Sequence, residues 1–262
     1  MSLSPTLTPR RRIVGVSTKL YFDAARTKQY VDEFLQILSS SSSPSQADLQ
    51  DKIDIFIIPD HITLTSVISQ LQNTSILTGA QDAFYEDSGA YTGEVSPAVL
   101  AEVGCRIVEL GHAERRRIFG ETDKDAARKA AAAARNGMIP LVCIGERSRG
   151  DVAVAVDECK QQVEAVMEGL PDDAEVVLAY EPVWAIGAAE PAGAEHVVAV
   201  AKDIRALECV RRRKGTTRIL YGGSAGPGLF GQLKDGVDGL FLGRFAHDPA
   251  QFYRTITEIA SA

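Results

Sequence analysis

Three polar residues of different chemistry each follow closely on the end of a short apolar segment. They are Lys19, His112 and Glu181, and the segments before them are rich in the β-branched residues typical of buried strands. A lysine supplies a fixed positive charge, whereas histidine and glutamate are side chains that often transfer protons in enzymes. If the ends of those segments meet in the folded chain, the three groups can act on one small substrate.

Two further apolar segments end in glycine-bearing sequences that favour anion binding. Gly222, Gly223 and Ser224 follow one of them, and Gly243 and Arg244 follow the next. Backbone N–H groups at such strand ends commonly hold a phosphate. The pattern therefore predicts a phosphate group on the substrate.

Each of these residues also has a structural interpretation when it is taken singly. Lys19 alone is typical of a solvated surface charge, His112 of a hydrogen-bonded structural histidine, and Glu181 of an ion-pair partner for an arginine. Gly222 and Gly223 alone could serve only a tight turn. The functional interpretation gains its weight from their joint occurrence at strand ends that share one face.

The elements that must position these residues alternate along the chain. Apolar runs that predict strands occupy residues 13–16, 53–58, 76–78, 106–110, 139–144, 176–180, 218–221 and 239–242. Segments that predict helices occupy residues 30–38, 122–136, 152–168, 194–207 and 249–259, with a short one near 229–233. About eight strand–helix units favour a closed (β/α)8 barrel of the α/β class over a doubly wound sheet.

The composition is that of a globular protein, because 45% of the 262 residues are hydrophobic and 24% are charged. A net charge of -7 argues against nucleic-acid partners and against binding to an anionic membrane. Apolar runs are far shorter than the roughly 20 residues that span a bilayer. Four cysteines without a C-x-x-C pair predict free thiols in a reducing compartment, and no targeting segment is recognised, so the predicted location is the cytoplasm.

These elements predict one barrel domain over residues 1–262 with a flexible N-terminal tail at 1–11. The three arginines at 10–12 are interpreted as the solvated end of that tail rather than as a nuclear signal. A serine tract at 39–45 is interpreted as a surface loop on the N-terminal side of the barrel. The alternative is a linker between domains, which is weak because about forty residues before it are too few for an independent core.

Other catalytic chemistries find little support in the sequence. It has no nucleotide-binding G-x-x-x-x-G-K-[ST] loop, and the glycines at 222–228 do not form a dinucleotide fingerprint. Ser224 lacks the G-x-S-x-G setting of a hydrolase nucleophile, and Cys143 is interpreted as a packed thiol. The four histidines are scattered without metal-ligand spacing, so no metal is expected.

Taken together, the motifs resemble the triosephosphate isomerase family over nearly the whole chain. The segments that carry the resemblance are GHAERR at 111–116, FGETD at 119–123, CIGE at 143–146, AYEPVWAIG at 179–187 and YGGS at 221–224. Their order along the chain makes the resemblance specific.

The resemblance implies a (β/α)8 barrel without metal or cofactor, and an aldose–ketose isomerase that moves a proton through an enediolate. Glu181 would be the base that removes a proton from the carbon next to a carbonyl. His112 would be a neutral imidazole that polarises the substrate oxygens, and Lys19 would supply positive charge to the enediolate and the phosphate. Glu114 would support Lys19 or His112. The implied substrate-binding residues are Ser17, Lys19, Gly187, Ser224, Gly243 and Arg244.

The sequence departs from the family pattern around the two ends of the substrate. Ser17 replaces an asparagine, Ala113 replaces a serine, and Asp82 also replaces an asparagine. Arg244 stands where the family has a glycine, and the lid tip at 188–192 is rewritten. The base, the imidazole and the lysine are all retained, so the departures bear on the substrate rather than on the chemistry.

The resemblance implies a three-carbon substrate, glyceraldehyde 3-phosphate or dihydroxyacetone phosphate. The alternative is a four-carbon erythrulose phosphate, on which divergent relatives act and which the altered Ser17 and Arg244 would permit. An interpretation of another class is a barrel that binds a sugar phosphate without turnover. Retention of the three catalytic groups argues against it.

Arg244 itself has two interpretations of equal weight. Its guanidinium can add a planar cationic fork for the phosphate or for a second anionic group. Alternatively, the side chain turns to solvent or pairs with a local carboxylate such as Asp248.

The resemblance also implies a homodimer and a lid. The loop at 82–92 looks like the dimer-forming loop of the family, and Phe84, Tyr85 and Tyr91 place aromatic rings on a connection that is expected to be exposed. The alternative is that these rings fold back onto their own barrel. Residues 182–184 resemble the hinge of the lid that closes over the phosphate.

Overall fold

Eight parallel strands form the centre of the protein, whose computed structural model describes residues 11–40, 46–187 and 191–262. The strands are β1 (Arg12–Ser17), β2 (Ile53–Ile58), β3 (Leu77–Ala80), β4 (Ile107–Leu110), β5 (Ile139–Ile144), β6 (Val176–Tyr180), β7 (Thr217–Tyr221) and β8 (Gly239–Leu242). Each pairs with the next in the sequence, and β1 also pairs with β8, so the sheet closes into a barrel. The predicted (β/α)8 fold is confirmed.

Helices cover the outside of this barrel. They are α1 (Ala24–Ser40), α2 (Gln46–Gln50), α3 (Leu64–Leu71), α4 (Pro97–Glu102), α5 (Ala113–Phe119), α6 (Asp123–Arg135), α7 (Val152–Gly169), α8 (Ala194–Ala206), α9 (Glu208–Arg211), α10 (Phe230–Leu233) and α11 (Pro249–Ala260). The start of α6 shows how local sequence sets a boundary. The Thr122 hydroxyl accepts the N–H of Asp125, whose carboxylate accepts the N–H of Thr122 in return.

The alternation of side chains along the strands separates two apolar clusters. One contains strand residues only, such as Ile13 and Ile107, and therefore fills the inside of the barrel. The other joins their sequence neighbours, such as Val14 and Val108, to helix residues such as Phe34, and lies between sheet and helices. Because side chains alternate, every second residue after Ile13 and Ile107 also faces the barrel interior.

The strand predictions agree with the structure to within two residues. The third strand differs most, since the sequence predicts residues 76–78 and the structure has Leu77–Ala80. The sequence pattern misses the end of this strand because glycine is a poor strand former. The structure requires glycine here, since a Cβ at position 79 would lie 2.7 Å from side-chain atoms of both Ile107 and Ile58. Helices α2 to α5 and α9 are additional to the predicted ones. They are short, and tertiary packing rather than a long amphipathic pattern stabilises them.

Parts of the predicted tail and serine tract lie outside the described residues, namely 1–10 and 41–45. Arg11, the last residue of the predicted tail, donates from Nε to Oδ1 of Asp54 at 2.6 Å. Ser39 and Ser40 form the end of α1. All four cysteines are unpaired. Within the described ranges, none of the helices has the length and apolar character needed to cross a membrane.

A buried ion network explains why an aspartate is tolerated at position 82. Asp82 accepts hydrogen bonds from Nζ of Lys129 at 2.9 Å and lies 2.8 Å from the guanidinium of Arg115. Glu121 pairs with the same two cations, at 2.8 Å from Arg115 and 3.2 Å from Lys129. The network ties the connection after β3 to α5 and α6, and it thereby fixes the start of α5 at the mouth of the barrel.

Candidate active site

The carboxyl ends of the strands surround a cavity of about 950 Å³. A cavity of this size accommodates a small phosphorylated ligand. Every residue that the sequence assigned to the site lines it: Ser17, Lys19, His112, Glu114, Glu181, Gly187, Ser224, Gly243 and Arg244. The structure thus brings together residues that are separated by more than two hundred positions in the sequence.

Lys19 is held at the cavity by its backbone and by its side chain. Its φ of 48° lies in the left-handed region, which a non-glycine residue adopts only where its surroundings fix it. The side-chain amide of Gln81 donates to the backbone carbonyl of Lys19 at 2.9 Å, and Nζ of Lys19 donates to Oε1 of Glu114 at 2.9 Å. Burial alone would lower the pKa of Lys19, but the hydrogen bond and charge of Glu114 outweigh it and raise the pKa. The ammonium therefore stays charged.

His112 is oriented by the first turn of α5, of which it is the N-terminal cap. The backbone N–H of Glu114 donates to Nδ1 of the imidazole at 3.1 Å. A neutral ring that accepts at Nδ1 carries its proton on Nε2. That Nε2 lies 3.4 Å from Nζ of Lys19 and 3.5 Å from Oε2 of Glu181. Burial, reinforced by the charge of Lys19, lowers the pKa of His112 to about 4.

We expect His112 to remain a neutral imidazole protonated at Nε2 throughout the range from pH 5 to pH 9. The lowered pKa places its protonation below this range, and the N–H of Glu114 blocks the other tautomer. Nitrogen-15 NMR of histidine-labelled protein should show one pyrrole-type and one pyridine-type nitrogen for this ring at every pH. Signals of an imidazolium at pH 6 would contradict the assignment.

Glu181 follows β6 directly, and its carboxylate is almost completely buried. Burial raises the pKa of Glu181 to about 8, and the neighbouring charge of Glu109 adds to the rise while Lys19 opposes it. Among the described residues, Oε2 of Glu181 has no hydrogen-bond partner. A buried carboxylate with a raised pKa and an open oxygen has the character of a general base.

The cavity is also lined by the groups that the sequence assigned to the phosphate. Gly187, Ser224 and Gly243 lie there, and the Ser224 hydroxyl is 3.4 Å from the carbonyl oxygen of Ala185. Arg244 follows Gly243 and is exposed. The alternative of an ion pair with Asp248 is not formed in the described structure, and Arg244 has no other carboxylate within ion-pair distance there. Its guanidinium is therefore open to an anionic ligand.

Both ends of the segment that resembles a lid are attached to the barrel. Trp184 donates from Nε1 to Oε1 of Glu146 at 2.8 Å. At the other end, the N–H of Ala192 donates to the hydroxyl of Tyr221 at 3.0 Å. Residues 188–190 of the tip lie outside the described part of the chain, so closure of the lid stays a prediction.

Glu109 lies beside the site, although none of the sequence motifs points to it. It lies on β4 next to Ile107, inside the barrel, and it is almost fully buried. Burial raises its pKa to about 7, and the neighbouring Ser17 hydroxyl opposes this rise. The available signal was a single charged residue within an otherwise apolar strand.

The aromatic residues of the loop at 82–92 contact one another. The ring centroids of Phe84 and Tyr85 are 4.0 Å apart, and those of Phe84 and Tyr91 are 4.6 Å apart. The guanidinium of Arg128 lies 3.3 Å from the centre of the Tyr85 ring. Phe84 and Tyr85 are partly buried by these contacts, whereas Tyr91 remains exposed.

Comparisons with known proteins agree with this geometry. The family model described as triosephosphate isomerase matches residues 12–259. The L-erythrulose-1-phosphate isomerase of Pectobacterium atrosepticum is 43% identical over 96% of this chain and 97% of its own length. That of Rhizobium meliloti is 41% identical over 80% of this chain and 85% of its own. The triosephosphate isomerase of a Thermoanaerobacter species is 36% identical over 89% of this chain and 94% of its own length. The chain therefore belongs to the triosephosphate isomerase family and is an isomerase.

Proposed function

We propose that this isomerase interconverts four-carbon ketose phosphates of the erythrulose type. The observation that carries the choice of substrate is the 43% identity, over nearly both full lengths, to a relative named L-erythrulose-1-phosphate isomerase. The small Ser17 on the cavity wall, where the family pattern has asparagine, supports the same choice because it leaves more room for a substrate.

Glu181 acts as the base in this proposal. Its carboxylate accepts the proton from the carbon beside the carbonyl, and the electron pair of the broken C–H bond forms the C=C bond of an enediolate. The Nε2–H of His112 donates to the oxygen on which negative charge develops, and the ammonium of Lys19 stabilises the same charge. His112 then gives its Nε2 proton to this former carbonyl oxygen and takes up the hydroxyl proton of the neighbouring oxygen. Return of the carbon-bound proton from Glu181 to the former carbonyl carbon leaves the carbonyl on the neighbouring carbon and completes the isomerisation. The raised pKa of the base and the lowered pKa of the imidazole support these roles.

The four-carbon substrate fits this chemistry with one added group. In erythrulose 1-phosphate, the carbon that loses its proton carries a hydroxymethyl group where dihydroxyacetone phosphate has a hydrogen. The enediolate and the phosphate are otherwise the same. The same trio therefore serves either substrate, and the choice between them rests on the wall of the cavity around the reacting carbon.

Turnover across triose, tetrulose and pentulose phosphates in deuterium oxide tests the proposal. We expect the highest kcat/KM with an erythrulose phosphate, together with deuterium from solvent on a carbon beside the carbonyl. A higher kcat/KM with dihydroxyacetone phosphate would identify the second candidate, a triosephosphate isomerase, which the 36% identical relative favours. Binding without exchange or turnover for any member of the panel would identify a non-catalytic barrel.

Arg244 is proposed as a cationic ligand of the phosphate. We expect Arg244→Gly to raise KM for the preferred substrate roughly tenfold, because an exposed charge-assisted hydrogen bond is worth about 1.5 kcal/mol. Steady-state kinetics of the variant and of Arg254→Gly, which removes an arginine from α11, measure the effect. Equal KM values for wild type and Arg244→Gly would mean that the Arg244 side chain does not contact the substrate.

We also propose a homodimer that covers the mouth side of the first four strands. Exposed apolar side chains follow each of these neighbouring strands: Leu20, Ile62, Tyr91 and Phe119, with exposed fractions of 84%, 88%, 44% and 68%. Several exposed apolar side chains on neighbouring connections, here called the apolar patch, are typical of an interface. The resemblance of the loop at 82–92 to a dimer-forming loop supports a second copy of this chain as the partner.

Sedimentation velocity at micromolar concentration should show a dimer. We expect Ile62→Lys to shift the equilibrium toward monomer because it places a charge in the apolar patch. Val154→Lys is the matched control, since Val154 is similarly exposed but lies on α7, away from the patch. A wild-type protein that sediments only as a monomer would reject the dimer.

A further inference from the structure

Glu109 is a charged residue on the inner face of the barrel, where most of the side chains are apolar. It follows Ile107 by two positions on β4, so both side chains point into the barrel. Its relative exposure is 3%, and the proposed proton transfer makes no use of it. Burying a carboxyl group in apolar surroundings is unfavourable unless the group finds partners.

Two polar atoms at this point lack partners within the described structure. Oε2 of Glu109 has no hydrogen-bond partner, and Oγ of Ser17 makes no hydrogen bond of good geometry, although it lies close enough to Glu109 to lower the pKa of its carboxyl group. Ser17 is 2% exposed and lines the cavity, whereas Glu109 lies next to it and away from the open surface. Orphaned buried polar groups are uncommon in proteins and usually have a functional reason.

Another buried charge inside the same barrel shows the usual arrangement. Arg218 begins the interior series of β7 and is as deeply buried as Glu109. It pairs with the carboxylates of both Asp54 and Glu175. The buried charge of Arg218, at the end of the barrel away from the cavity, is therefore neutralised by two carboxylates. Glu109, near the cavity, has no ion pair in the described part of the chain.

We propose that Ser17 and Glu109 form a hydroxyl-binding relay that recognises the hydroxymethyl group of the four-carbon substrate. The substrate hydroxyl donates to Oγ of Ser17, and the Ser17 hydroxyl donates to the Glu109 carboxyl. Both unpartnered atoms are then satisfied. Ser17 is the contact residue, and Glu109 is a positioning residue that acts through it. This inference rests on the proposed function, because a three-carbon substrate has no hydroxyl at that place.

The chemistry of the relay accounts for the residue types. A serine hydroxyl donates one hydrogen bond and accepts others, so it can link a substrate hydroxyl to a carboxyl group. The larger asparagine of the family pattern would occupy the space that the hydroxymethyl group requires. A site with buried groups that bind a hydroxyl also discriminates against a ligand that lacks it, because the groups are then left unpaired.

Binding of two inert polyol phosphates isolates the relay from turnover. Glycerol phosphate and a tetritol phosphate have no carbonyl and differ by the one hydroxylated carbon. We expect calorimetry to show the tetritol phosphate binding about tenfold more tightly to the wild type. Ser17→Ala and Glu109→Leu should bring the two dissociation constants close together. Glu109→Gln should keep most of the difference, since its amide oxygen still accepts from Ser17.

Two controls keep the result interpretable. Thr18→Ala removes the neighbouring buried hydroxyl, which does not line the cavity, and should leave the ratio of the two dissociation constants unchanged. Glu109→Leu should unfold at a temperature no lower than the wild type, because it replaces an unpaired buried polar group with an apolar one. A wild-type tetritol preference that persists in Glu109→Leu would overturn the relay alone. Wild-type turnover that favours the triose phosphate would overturn the proposed function as well.

Discussion

Replacing Glu181 with glutamine should lower kcat about 10³-fold while changing the affinity for the substrate little. General base catalysis contributes roughly 10²- to 10⁴-fold, and an amide cannot accept the carbon-bound proton. The substitution keeps the size of the side chain, so the cavity and its proposed phosphate site stay as they are. Steady-state kinetics with the preferred substrate, and solvent deuterium exchange into that substrate, measure the loss.

The matched control for this experiment is Glu146→Gln. Glu146 is a second buried glutamate, near the hinge, whose Oε1 accepts the indole N–H of Trp184. An amide oxygen accepts the same hydrogen bond, so we expect a much smaller effect on kcat there. If Glu181→Gln retained near-native turnover and exchange, another group would be the base and the proton-transfer scheme would be wrong.

The fold and the meeting of the three candidate catalytic side chains were predictable from the sequence for the same physical reason. Strands buried on both sides are continuous apolar runs, and parallel strands place all their carboxyl ends on one edge. Lys19, His112 and Glu181 therefore had to meet once the barrel closed. In the structure, Nε2 of His112 lies 3.4 Å from Nζ of Lys19 and 3.5 Å from Oε2 of Glu181. The family that the motifs indicated is confirmed by the comparisons.

Other features of the site depend on contacts that a linear pattern does not contain. The tautomer of His112 follows from an N–H of α5, a helix too short to have a recognisable amphipathic pattern. Glu109 is near Ser17 only because the barrel closes, although more than ninety positions separate them in the sequence. The raised pKa of Glu181 likewise depends on burial and on Glu109, and neither is visible from its own sequence neighbours.

Gly222→Ala should lower kcat about 10²-fold through the position of Glu181 alone. A Cβ at position 222 would lie 2.5 Å from Oε1 and 2.6 Å from Cγ of Glu181. Contacts this short force the carboxylate to move, and displacement of a catalytic group by about 1 Å can cost about a hundredfold in rate. The glycine thus has a role beyond a tight turn, because it leaves the space that the Glu181 carboxylate, the proposed base, occupies.

The effect should fall on the rate rather than on the stability of the fold. The clashing atoms belong to one side chain and not to the backbone, and that side chain lines the cavity and can turn into it, so we expect the thermal unfolding temperature to change little. Gly231→Ala on α10 is the control, since a Cβ there meets no atom within 4 Å in the described structure. It should leave kcat unchanged. A Gly222→Ala variant with native kcat would mean that the observed position of the Glu181 carboxylate is not the one from which it removes the proton.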